Sequence, residues 1–249
     1  MEIFRLLSSS PLPSVSPSSA AAGERAAAMA KPSLLAFFSL LVASTLAADP
    51  DMLQDICVAD LDSAATAAAV RVNGFACKPA AEATEADFFF RGLAKPGATN
   101  TTMGSLVTAA NVEEIPGLNT LGVSMSRVDY APGGLNPPHT HPRATEIVFV
   151  LDGTLDVGFI TTANKLITKT IAKGDVFVFP RGLVHFQKNN GDVPAAALAA
   201  FNSQFPGTQS IAATLFAATP PVPDLVLSKA FQIGTRDVKK IKSRLAPKK

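Results

Sequence analysis

From Leu121 to Phe201 the chain alternates on the short period of β-strands. Leu121, Val123 and Met125 alternate with small residues, which predicts a strand with those three on its apolar face. Glu146 to Leu151 is a β-rich run ended by Asp152-Gly153, a hairpin signal, and Leu155 to Ile160 answers it. Leu166 to Ile171 is a further strand. Lys173-Gly174-Asp175 turns it into Val176 to Phe179, which Pro180 stops. Val184 to Lys188, a turn at Asn190-Gly191-Asp192, and Ala195 to Phe201 complete the series. Short strands at close spacing predict an all-β antiparallel sandwich or barrel. After Pro223 the period changes. Asp224 is placed to cap a helix through Leu225, Leu227 and Ala230, and Thr235 to start a second through Val238, Ile241 and Leu245.

The N-terminal part reads differently. Residues 1–28 are rich in Ser, Pro and Ala without periodicity, as in a disordered leader or a misassigned start. Met29 opens a second pattern: a charge at Lys31, an apolar run from Leu34 to Leu46, then small residues. That is a secretory signal peptide over 29–47, with cleavage expected after Ala47. The run is too short for a spanning helix, which needs roughly 20 apolar residues. No other segment suits a membrane. The mature chain, 48–249, is expected to form one domain, with a barrel over about 100–218 and helices over about 222–246.

Composition narrows the partners. The 249 residues are 47% hydrophobic and 17% charged, which leans toward buried subunit contacts. A net charge of +2 gives no sign of a nucleic-acid partner. Secretion bears on the two cysteines, Cys57 and Cys77, which in an oxidising compartment are expected to pair rather than remain buried thiols. Asn100-Thr101-Thr102 is a glycosylation sequon in a polar segment.

Candidate chemistry lies between Gly133 and Asn189, where all 3 histidines occur. His139 and His141, two apart, share a face of extended backbone. Pro142 to Thr145 break the strand and let Glu146 turn the same way, and His185 closes the set from another strand. Three imidazoles and a carboxylate are a mixed N/O ligand set with two positions of an octahedron left open, and they suit manganese or iron. A structural zinc site would instead be closed and usually thiolate-rich. No Ser-His-Asp arrangement is available, so nothing catalytic is assigned beyond the metal site.

These residues resemble the plant germin-like proteins of the cupin superfamily. One motif stands as Gly133, His139, His141, Glu146 and Gly153, the other as Gly174, Pro180, Gly182, His185 and Asn189. The likeness runs from about Asp49 to Lys249 and includes Gln54 to Asp60 and Phe201-Asn202-Ser203-Gln204. It implies a cupin jelly-roll barrel, manganese on His139, His141, Glu146 and His185, a Cys57–Cys77 bridge, a glycan on Asn100, an apoplastic location, and a hexamer built as a trimer of dimers. Some members oxidise oxalate, others are superoxide dismutases, and many have no assigned reaction. The oxalate-oxidising members carry two asparagines near the metal. One matches Asn136, a candidate substrate contact whose alternative is a turn role before Pro137-Pro138; the other falls at Ser126. A serine offers one donor where an amide offers two, which speaks against oxalate oxidation. The expectation is a manganese protein of plant defence with superoxide dismutase activity, set against a non-enzymatic, metal-stabilised wall protein and against an oxalate oxidase.

Overall fold

The structure, a computed structural model, describes residues 54–62 and 73–246. The leader and signal peptide expected over 1–47 lie outside the described residues. Ten strands follow in order: β1 (Ser105–Ala110), β2 (Ser124–Tyr130), β3 (Leu135–Thr140), β4 (Glu146–Asp152), β5 (Thr154–Ile160), β6 (Leu166–Ala172), β7 (Val176–Phe179), β8 (His185–Lys188), β9 (Ala195–Phe201) and β10 (Gln209–Ser210). They form two five-stranded antiparallel sheets, β1-β2-β9-β4-β7 and β10-β3-β8-β5-β6. Three helices follow: α1 (Ile211–Phe216), α2 (Asp224–Phe231) and α3 (Thr235–Leu245).

Alternation decides what faces the space between the sheets. In β4, Glu146, Val148 and Val150 are buried while Ile147 and Phe149 face out. Val128, Tyr130, Leu155, Val157, Ile171 and Phe179 meet Val148 and Val150 in one core. Each fully buried side chain of this size contributes roughly 1.5–3 kcal/mol. The helices keep a smaller core of their own around Phe216, Leu227 and Val238.

Three expectations are corrected. Asp152-Gly153 does not close a hairpin: β4 pairs with β7 and β9, whereas β5 pairs with β6 and β8. The turn is a corner between sheets. Gly153 has φ +75°, and a Cβ there would lie 2.9 Å from Ala195 Cα, so only glycine lets the corner rest against β9. In β2 the facing is reversed. Ser124 and Ser126 are buried at 4% and 5%, while Met125, and Leu121 and Val123 just before the strand, are exposed, because the inward face at this end borders the cavity beside the candidate ligands rather than core. Asp224 is the first residue of α2 rather than its cap, which is Pro223, and its carboxylate pairs with Lys242 of α3 at 2.6 Å.

The N-terminal arm is tied down as its cysteines suggest. Cys57 and Cys77 are bridged, Ala59 pairs with Cys77, and Ala59 N–H donates to Pro116 O at 2.9 Å. The bridge closes a loop with a sequence separation of 20. Replacing both cysteines by serine is expected to lower unfolding free energy by about 3 kcal/mol, measured as a lower denaturation midpoint in urea.

Candidate metal centre

Three strands and the segment just after β3 bring the candidate ligands together. Pro137 and Pro138 lie in β3 where the register to β8 slips: Asn136 pairs with Gln187, but His139 pairs with His185. Proline cannot donate to a ladder, so the segment is tolerated as a bulge. Without the slip, Asn136 and His139, three apart, would face opposite ways; with it both line one cavity. His141 follows the end of β3, Glu146 begins β4, and His185 begins β8. All four are buried, and their ligand atoms lie within 4.8 Å of one another.

Backbone carbonyls set the imidazole tautomers. His139 Nδ1 is 2.8 Å from Pro137 O, and His185 Nδ1 is 2.8 Å from Leu183 O. A carbonyl only accepts, so both Nδ1 atoms carry hydrogen and both Nε2 lone pairs are left for the centre. His185 Nε2 lies 3.1 Å from Glu146 Oε2, and His141 Nε2 lies 3.0 Å from the same oxygen. A neutral His185 would therefore turn a lone pair on a carboxylate oxygen. That geometry is repulsive unless positive charge, a proton or a metal ion, lies between. The donor set fits a hard or borderline cation such as manganese, and both cysteines are committed to the disulfide.

Aromatic packing and a second hydrogen-bond layer hold the ligands. The Phe179 ring stacks on His185 with centroids 4.4 Å apart, and Phe201 meets His141 edge-on at 4.8 Å. Gln187, fully buried, donates from Nε2 to Glu146 Oε1 at 3.0 Å and accepts from Asn136 Nδ2 at 2.7 Å. Sequence reasoning missed Gln187, although its place two residues after His185 on one strand face was a usable signal. Thr208, whose Oγ1 is 3.5 Å from His141 Nδ1, carried no signal. Asn136 therefore touches the carboxylate's support, and Asn189 binds the carbonyls of Ala131 and Val193 away from the ligands.

A cavity of about 360 Å³ opens onto the cluster, with Ser126, Val128, Asn136, Phe201 and Thr208 in its wall. The Ser126 side chain faces it without a hydrogen-bond partner among the described residues. Asn100 is exposed, so its sequon is accessible. No helix among the described residues is long and apolar enough to cross a membrane.

Burial works to raise the Glu146 carboxyl, but the adjacent His141 and His185 imidazoles, which favour its charged form, outweigh it and hold the group at about 2, against an ordinary 4.5. Burial, reinforced by His185, brings His139 from 6.5 down to about 4. Both shifts act in the same direction. As pH falls from 6.5 toward 4, the unfolded chain gains a proton on His139 that the folded chain refuses. As pH falls from 4.5 through 2, the Glu146 contribution is lost as well. Metal-free protein is expected to lose about 3 kcal/mol between neutrality and pH 4 from His139, measured by urea denaturation along a pH series.

Two facing antiparallel sheets with an imidazole–carboxylate cluster between them define a cupin-type barrel with a candidate metal centre, and comparison with known proteins agrees. The family model described as Cupin matches residues 91–239. The chain is 72% identical over 227 residues to germin-like protein 5-1 of Oryza sativa subsp. japonica, covering 89% of this chain and 100% of that one. It is 71% identical over 199 residues to the rhicadhesin receptor of Pisum sativum, covering 80% of this chain and 89% of that one. Among solved structures, a recombinant oxalate oxidase in complex with glycolate is similar, with a TM-score of 0.75, 50% identity, and coverage of 80% of this chain and 98% of that one. The chain belongs to the germin-like proteins of the cupin family.

Proposed function

We propose that this chain is a secreted manganese protein of the plant apoplast that dismutes superoxide and acts in wall defence. The observation that carries the reading is the convergence of His139, His141, His185 and Glu146 on one buried centre beside an open cavity. These four residues would hold the ion. When bound, manganese supplies a one-electron couple that cycles between two oxidation states, which is what conversion of two superoxides and two protons to dioxygen and hydrogen peroxide requires. The protein's own part is positional. Pro137 O and Leu183 O fix two ring tautomers, Gln187 fixes the carboxylate, and the cavity admits a small substrate.

The same reading includes glycosylation at Asn100 and a hexamer built as a trimer of dimers. Ile147, Phe149, Val176 and Val178 lie exposed on the outer face of β4 and β7, and this apolar surface supports packing against further copies. Oxalate oxidation is the second reading, favoured by the 50% identity to the recombinant oxalate oxidase. Ser126 argues against it, because a single short hydroxyl stands where that chemistry uses an amide. Ser126→Asn is expected to raise oxalate turnover at least about tenfold over a near-zero wild type, measured as peroxide release.

The test is one sample of the purified secreted protein. Elemental analysis should find manganese, superoxide should be consumed, and oxalate should not. Metal with no turnover of either substrate would replace the enzymatic reading with a metal-stabilised wall protein. Undiminished activity after metal removal would reject the site's role.

A further inference from the structure

We propose that the outer face of β5, β6 and β8 carries a second, metal-independent site that takes a pyranose unit of a polysaccharide. An open cleft of about 520 Å³ lies there, and Asp156, Thr168, Lys169, Thr170, Phe186, Lys188 and Asn190 line it. Alternation along β8 separates the two sites: His185 and Gln187 turn inward to the metal centre, and Phe186 and Lys188 turn outward.

The apolar wall depends on Gly158. A Cβ there would meet Phe186 Cζ at 3.2 Å and Thr168 Cβ at 3.2 Å. The half-buried Phe186 ring thus reaches over β5 into the space that a side chain would occupy. The polar rim is prebuilt. Thr170 Oγ1 donates to Asp156 Oδ1 at 2.5 Å, and the Asn190 amide donates to Asp156 Oδ2. Two other segments therefore hold this carboxylate, and both oxygens keep a lone pair for a ligand. Lys188 is the cross-strand partner of Asp156 but makes no ion pair with it, so its ammonium has no partner among the described residues.

This set selects its ligand by chemistry. An inorganic or ester phosphate would meet the Asp156 carboxylate. A purely apolar ligand would leave the rim unsatisfied. A pyranose matches both parts: its C–H face packs on Phe186, its hydroxyls donate to Asp156, and a ring hydroxyl or uronate carboxylate accepts from Lys188. Neutral and uronic sugars share this chemistry, and Lys188 distinguishes them.

The test titrates the full secreted protein with a neutral xylo-oligosaccharide and with an oligogalacturonate. Wild type should bind at least one. Asp156→Ala and Asn190→Ala should each weaken that binding about tenfold or more, with metal content and thermal midpoint unchanged. Lys188→Ala should weaken the oligogalacturonate alone if the ligand is a uronate, and the xylo-oligosaccharide too if it is neutral. Failure of wild type to bind either probe would overturn the proposal. So would equal binding by wild type, Asp156→Ala and Asn190→Ala, which would leave Phe186 as a cover for Gly158 only. Because neither variant touches a metal ligand, this outcome is independent of the metal assays.

Discussion

His141→Ala is expected to yield purified protein with less than about a tenth of the wild-type metal and no superoxide dismutation. Removing a mere outer partner of a metal ligand lowers affinity about 10- to 100-fold, and His141 is proposed as a ligand itself. It is 4% exposed and its Nε2 lies 3.0 Å from Glu146 Oε2, so the substitution removes an imidazole nitrogen from the centre itself. Elemental analysis and a superoxide assay on matched samples check this. Full metal content in the variant would show that the ion is held elsewhere.

Phe179→Ala is expected to remove about 3–5 kcal/mol of stability and to loosen the metal as well. Phe179 is 1% exposed and packs in the main core. Its ring also stacks on His185, centroids 4.4 Å apart and planes 21° from parallel. Truncation would open a cavity directly behind a ligand ring and free it to rotate. Urea denaturation of the metal-free form gives the stability loss; metal retention during dialysis gives the second effect. A large stability loss with unchanged retention would mean that the Leu183 carbonyl alone holds the His185 ring.

Much of this fold was legible because most of the strands alternate or run apolar. Val176 to Phe179 and Ala195 to Phe201 coincide with β7 and β9 to the residue. Other strands gave no such signal. β1 is an edge strand of mixed exposure with no clean alternation. β3 contains two consecutive prolines, which count against a strand until a bulge accommodates them. α1 has six residues, too few for a helical period. Turn chemistry marked where the chain bends but not where it goes: Asp152-Gly153 reads alike as a hairpin and as a corner between sheets. The inward face of β2 was misread because two of its inward residues, Ser124 and Ser126, are hydroxyls at the cavity rather than apolar core residues.

The four candidate ligands were legible for a different reason. Histidine is scarce here, so its spacing carries information, and a nearby proline break explains how Glu146 can join. Gln187 and Thr208 are ordinary polar residues whose role depends on strand pairing and loop position. Only the three-dimensional arrangement identifies them.

Anomalous X-ray scattering from crystals of the purified protein, recorded on both sides of the manganese absorption edge, tests the central claim most directly. A single peak per chain, bounded by His139, His141, His185 and Glu146, is the result expected. No peak at that point, or a peak enclosed by other residues, would contradict it.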